Sequence, residues 1–141
     1  MMKLYKLFLI TLLVGCSSTT EEQETRVDIN ALDLTRDKSK TENYWVVTNR
    51  SYPKYPVSAA RKGISGCVEF SFVIDELGKA QNIQIINSVP ENTFNKAAMK
   101  SMKEFRWAAT KNNDSLQPVL TTLQLDFSTS PKQTVAKCIA S

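Results

Sequence analysis

Cys67-Val68-Glu69-Phe70-Ser71-Phe72-Val73-Ile74-Asp75 alternates without a break. Val68, Phe70, Phe72 and Ile74 share one face; Cys67, Glu69, Ser71 and Val73 share the other. This period of two marks a strand with one face in a core. Asp75-Glu76-Leu77-Gly78 follows as a hairpin loop, with Gly78 free to take a positive φ. Ala80 to Ser88 is the return strand, with Ile83 and Ile85 on the core face. Ile86 falls out of phase and marks a bulge.

Downstream, the period changes. Phe94, Ala98, Met102 and Phe105 recur about every four residues and form one apolar helical stripe. Asn92 is the expected N-cap, and the helix is expected to end near Trp107. Lys111 to Pro118 is a polar loop. Val119 to Phe127 alternates again, with Val119, Thr121, Leu123, Leu125 and Phe127 on one face. Leu120, Thr122, Gln124 and Asp126 lie on the other. Upstream, Pro56 suits the first turn of a short helix over Val57 to Lys62, which Gly63 stops. Tyr44-Trp45-Val46-Val47 reads as a short strand docked on the domain. The expected fold is α+β in two layers: a three-stranded antiparallel sheet, one main helix and a short N-terminal helix.

The whole chain has 141 residues, with 18 bases, 14 acids, three cysteines and no histidine. One domain is the expectation. Without histidine there is no Ser-His-Asp or Cys-His machinery and no HExxH zinc helix. Cysteines at 16, 67 and 138 have no chelating spacing. Asp75-Glu76 is turn chemistry, and no Gly-rich phosphate loop is present. The expectation is therefore a binding module without a cofactor or metal, not an enzyme.

Residues 1–15 join a basic start, Lys3 and Lys6, to an apolar run, Leu7 to Val14. That is the pattern of a secretory signal. Leu13-Val14-Gly15-Cys16 resembles the lipobox of bacterial lipoproteins. The resemblance implies cleavage before Cys16, with Cys16 carrying the lipid, and a tether over residues 16–43 that is too polar to build a core. Ser17 resembles an outer-membrane sorting residue, which implies an envelope protein facing the periplasm. Losing Lys3 and Lys6 takes the 18 bases to 16 against 14 acids, a net charge of +2. No basic stripe remains for nucleic acid. In an oxidising compartment Cys67 and Cys138 form an even pair. A disulfide between them and two separate thiols, one in a polar tail over residues 128–141, both stay open.

The domain is expected over residues 44–127, and within it Tyr55 to Phe127 also resembles a family. Tyr55-Pro56-Val57-Ser58-Ala59, Gly63, Gly66-Cys67-Val68-Glu69-Phe70-Ser71-Phe72, Asp75 to Gly78, Ile83 to Ser88 and Phe105-Arg106-Trp107 are similar, in order and spacing, to the TonB C-terminal domain. Ala109 stands where that family often has Pro, and Cys67 where a non-cysteine is usual.

The resemblance implies a domain that binds the TonB box of outer-membrane receptors by adding a strand to its last strand. It also implies partners in the TonB, ExbB and ExbD system. On transfer, Leu120, Thr122, Gln124 and Asp126 line the docking strand, with Tyr55 and Pro56 nearby. Family members usually carry a transmembrane helix that meets the motor; a lipid anchor is expected here instead. An envelope scaffold that uses a TonB-like or TolA-like fold outside energised uptake is the alternative.

Overall fold

A computed structural model describes residues 30–130 and Cys138. Its elements run β1 Leu32–Asp33, a 3-10 helix Lys38–Asn43, β2 Trp45–Asn49, α1 Val57–Arg61, β3 Gly66–Ile74, β4 Ala80–Val89, α2 Asn95–Met102, β5 Arg106–Ala109 and β6 Val119–Phe127. The signal, the lipobox and Cys16 lie outside the described residues.

The class is α+β, but the sheet is larger than the expected three antiparallel strands. Four strands pair in the order β1-β6-β3-β4, and β2 and β5 form a second sheet. β3 is central and antiparallel to both β4 and β6, in register from Gly66↔Phe127 to Ile74↔Val119 on the β6 side. β1 joins β6 in parallel, at Leu32↔Val119 and Asp33↔Leu120.

The predicted core faces hold. Val68, Phe70, Phe72 and Ile74 are all at most 2% exposed, and Phe94, Ala98, Met102 and Phe105 at most 1%. Phe94 stacks on Phe127 with ring centroids 4.2 Å apart. Ile86 is the bulge: Glu69 pairs with Asn87, and Phe70 then pairs with Ile85. A second register shift, between Ser71 and Val73, accompanies Asn82, whose φ is +50°.

Three boundaries move. Asn92 is not the N-cap of α2: its φ is +61°, and the helix starts three residues later. Its side-chain oxygen instead accepts a bond from the Asn95 amide at 3.2 Å. The helix does not reach Trp107, because Met102 ends it and Arg106–Ala109 is strand. The Trp107 N–H donates to the Gly78 carbonyl at 2.9 Å, and its ring packs on Phe72 at 5.3 Å, which requires extended backbone there. Finally, Pro56 caps α1 from outside and Val57 is its first residue.

The segment ahead of the domain is docked on it. Leu34 and Trp45 are buried, and the Trp45 indole N–H donates to the Gln117 carbonyl at 2.9 Å. At the other end of the chain, Cys67 and Cys138 are joined by a disulfide with Cα atoms 5.6 Å apart. Cys67 is on the sheet face turned away from α2, so the bridge fixes Cys138 against that face.

Candidate docking edge

β6 is bordered on one side by β3 for its whole length. On the other side, β1 takes only its first turns of pairing. Leu32 N–H donates to the Pro118 carbonyl and Leu34 N–H to the Leu120 carbonyl, both at 2.8 Å. Those carbonyls fix the direction of the even-numbered peptides, because backbone groups alternate along a strand with period two. The N–H and C=O groups of Thr122, Gln124 and Asp126 therefore point to the same side. Among the described residues no strand lies beside them there. Three successive outward residues form a short open edge, which is a template for an extended chain.

The side chains of Leu120, Thr122, Gln124 and Asp126 share the face away from the core, as the alternation predicts. The chain already occupies part of that face. The Cys138 N–H donates to Gln124 Oε1 at 3.1 Å, and Gln124 Nε2 donates to Asp126 Oδ1 at 2.6 Å. The Leu120 carbonyl is taken by Leu34. Of the predicted site, the backbone of Thr122, Gln124 and Asp126 is what faces outward.

Tyr55 has a packing role at the far end of β6. Its ring meets Phe94 and Phe127 edge-on at 5.5 and 5.8 Å, and its hydroxyl donates to the Ile64 carbonyl at 2.5 Å. Pro56 caps α1 beside it. The two hold the strand end in place and present no polar group to the edge.

Beside the middle of β6 lies a groove of about 680 Å³ that no residue pattern announced. Trp45, Val47, Phe72, Trp107 and Leu123 supply its apolar lining, and Lys38, Glu42 and Arg50 supply charged groups. The Thr41 and Thr121 hydroxyls, 2.8 Å apart, tie the 3-10 helix to β6 next to it. The groove depends on β2 docking far from its position in sequence, so only the burial demand of Trp45 pointed toward it. An extended chain laid on Thr122–Asp126 places alternate side chains on the groove side. No group of three or more metal-ligating side chains occurs among the described residues.

Among the described residues, β6 thus combines an open stretch, an adjoining apolar groove and a Tyr-Pro turn buttressing its end. The family model for the Gram-negative bacterial TonB protein C-terminal matches residues 51–129, and the chain belongs to that family. It is 31% identical over 72 residues to protein TonB of Yersinia enterocolitica and 31% over 68 residues to protein TonB of Salmonella typhimurium. These matches cover 51% and 48% of this chain but only 28% of each relative, so the likeness spans a minor part of those proteins. The solution structure of the Pseudomonas aeruginosa TonB C-terminal domain shares the fold, with a TM-score of 0.53 at 22% identity, over 72% of this chain and 96% of that one.

Proposed function

We propose that this chain is a lipid-anchored, periplasm-facing TonB-type domain that takes part in TonB-dependent outer-membrane transport. It holds a TonB-box peptide of a receptor, or a partner of the TonB, ExbB and ExbD system, by strand addition. The observation that carries this reading is the outward row of peptide groups at Thr122, Gln124 and Asp126. Each backbone hydrogen bond formed there is worth about 1 kcal/mol net and demands little of the partner's sequence. Specificity falls to the side chains over the groove.

Titration with a synthetic TonB-box peptide, followed by amide NMR, should shift Thr122–Asp126 and leave the central β3 amides in place. No shift at that edge, or shifts centred elsewhere, would reject the reading. Gln124→Pro is the sharper variant. It deletes an outward donor and leaves the β3 ladder intact, because the Gln124 N–H does not face β3. We expect it to weaken peptide binding about fivefold, with an unchanged circular dichroism spectrum.

The anchor has its own test. Cys16→Ser should release the mature protein from membranes into the soluble envelope fraction, because a lipid chain is the expected attachment. Retention on membranes would defeat the lipoprotein reading without touching the docking edge. Among the described residues no helix is long and apolar enough to cross a membrane.

A further inference from the structure

The docking edge is longer than its open part. The even-numbered peptides from Pro118 to Asp126 all face one way, and the chain itself fills the first two. β1 is held there by the Leu32 and Leu34 N–H bonds and by Gln117 Nε2 donating to the Asn30 carbonyl at 2.7 Å. It stops at Leu34. There the Asp33 carboxylate accepts from the Thr35 N–H at 2.9 Å and the Thr35 hydroxyl at 2.7 Å, and the chain turns off the edge. An extended partner that grows along β6 from Asp126 toward Val119 meets this segment end-on.

The grip is uneven. Leu34 is 8% exposed, but Leu32 is 37% exposed and the strand is two residues long. So short a strand belongs to the least stable part of a fold and opens without global unfolding. Its composition also shows what the edge accepts: an extended segment with an apolar residue packed inward and a polar neighbour left in solvent.

We propose that residues 30–34 are an internal competitor for the docking edge, and that a partner strand long enough to cover Val119–Phe127 binds by displacing them. This rests on the strand-addition reading above. The apparent affinity of such a partner is reduced by the fraction of molecules in which β1 is docked. A shorter partner confined to Thr122–Asp126 escapes that reduction.

Leu32→Pro tests this on the full chain. It removes the donor to Pro118 and spares the core, because Leu32 is the exposed member of the pair. Leu34→Ser serves as a second variant. Two TonB-box peptides are compared, one of five residues and one of nine. Both variants should raise the affinity of the longer peptide about tenfold and leave the shorter one within about twofold. No gain, or an equal gain for both peptides, overturns the proposal while leaving strand addition standing. Failure of both peptides to bind native protein and variants alike overturns the two together. Hydrogen exchange gives a readout that needs no peptide. The Leu32 and Leu34 amides should exchange at least about 100-fold faster than Val68 and Phe70, through local opening. Exchange of all four only by global unfolding rejects the competitor.

Discussion

Gly78→Ala is expected to lower stability by about 4 kcal/mol, a large fraction of what holds a small domain together. Gly78 sits at φ +67°, where a Cβ costs about 1–2 kcal/mol. That Cβ would also stand 2.0 Å from the Trp107 carbonyl oxygen and 2.9 Å from its carbon, both backbone atoms that cannot swing aside. Hairpin and β5 would have to part. The Trp107 N–H bond to Gly78 would go, at about 1 kcal/mol. The Trp107 ring, 7% exposed between Phe72 and Phe105, would lose part of a burial worth about 1.5–3 kcal/mol. Gly63 is the internal control. Its φ is +63°, yet a Cβ there meets nothing within 4 Å, so Gly63→Ala should cost only the backbone share of about 1–2 kcal/mol. Urea denaturation of both variants separates the two contributions. Equal losses would mean that the contact with β5 carries none of the effect.

Replacing both bridge cysteines, as Cys67→Ala with Cys138→Ala, should remove about 4 kcal/mol. The disulfide joins residues 71 apart in sequence, and closing a loop of that size restricts the unfolded chain by about this amount in the chain-entropy model. Alanine is the right replacement because Cys67 and Cys138 are 2% and 1% exposed, and a serine hydroxyl would be buried there. The same pair of substitutions keeps the residue-138 N–H that donates to Gln124 but removes the covalent link that holds it there. The denaturation midpoint of the variant against the oxidised protein measures the loss. Non-reducing mass spectrometry of the native protein must show the 67–138 link, and free thiols would remove the basis for the effect. A loss under about 1 kcal/mol would show that the bridge restrains little.

Local patterns carried the central hairpin. Unbroken alternation over residues 67–75 and the out-of-phase Ile86 are statements about neighbours, and each survives in the structure. What failed depends on distant partners. Leu32 and Leu34 lie in the segment read as a polar tether, and two residues with strand spacing are too few to mark a strand. Only the free side of β6 decides for the strand. Phe105 closes the apolar stripe and carried the expected helix end to Trp107, yet the Gly78 carbonyl and the β2 backbone claim the Trp107 segment for pairing. Asn92 has good N-cap chemistry, but it is used in a left-handed turn.

The candidate site divides in the same way. The face carrying Leu120, Thr122, Gln124 and Asp126 was readable from period two. Which peptide groups stay open was not, because that depends on where β1 ends. Tyr55 lies near the strand, as the family resemblance implies, with its hydroxyl committed to Ile64.

The bridge also changes how the domain stretches under load. Consider tension applied between the N-terminal side of Cys67 and a strand held at Gln124. Along the backbone 57 residues separate those points, enough slack for about 190 Å if the domain yields. Through the disulfide, the route from Cys138 back to Gln124 is only 14 residues, and extension stops near about 50 Å. The covalent link is thus a strain limiter in parallel with the sheet. A partner pulling on β6 would find the domain going taut early, before its hairpin and main helix could be drawn out.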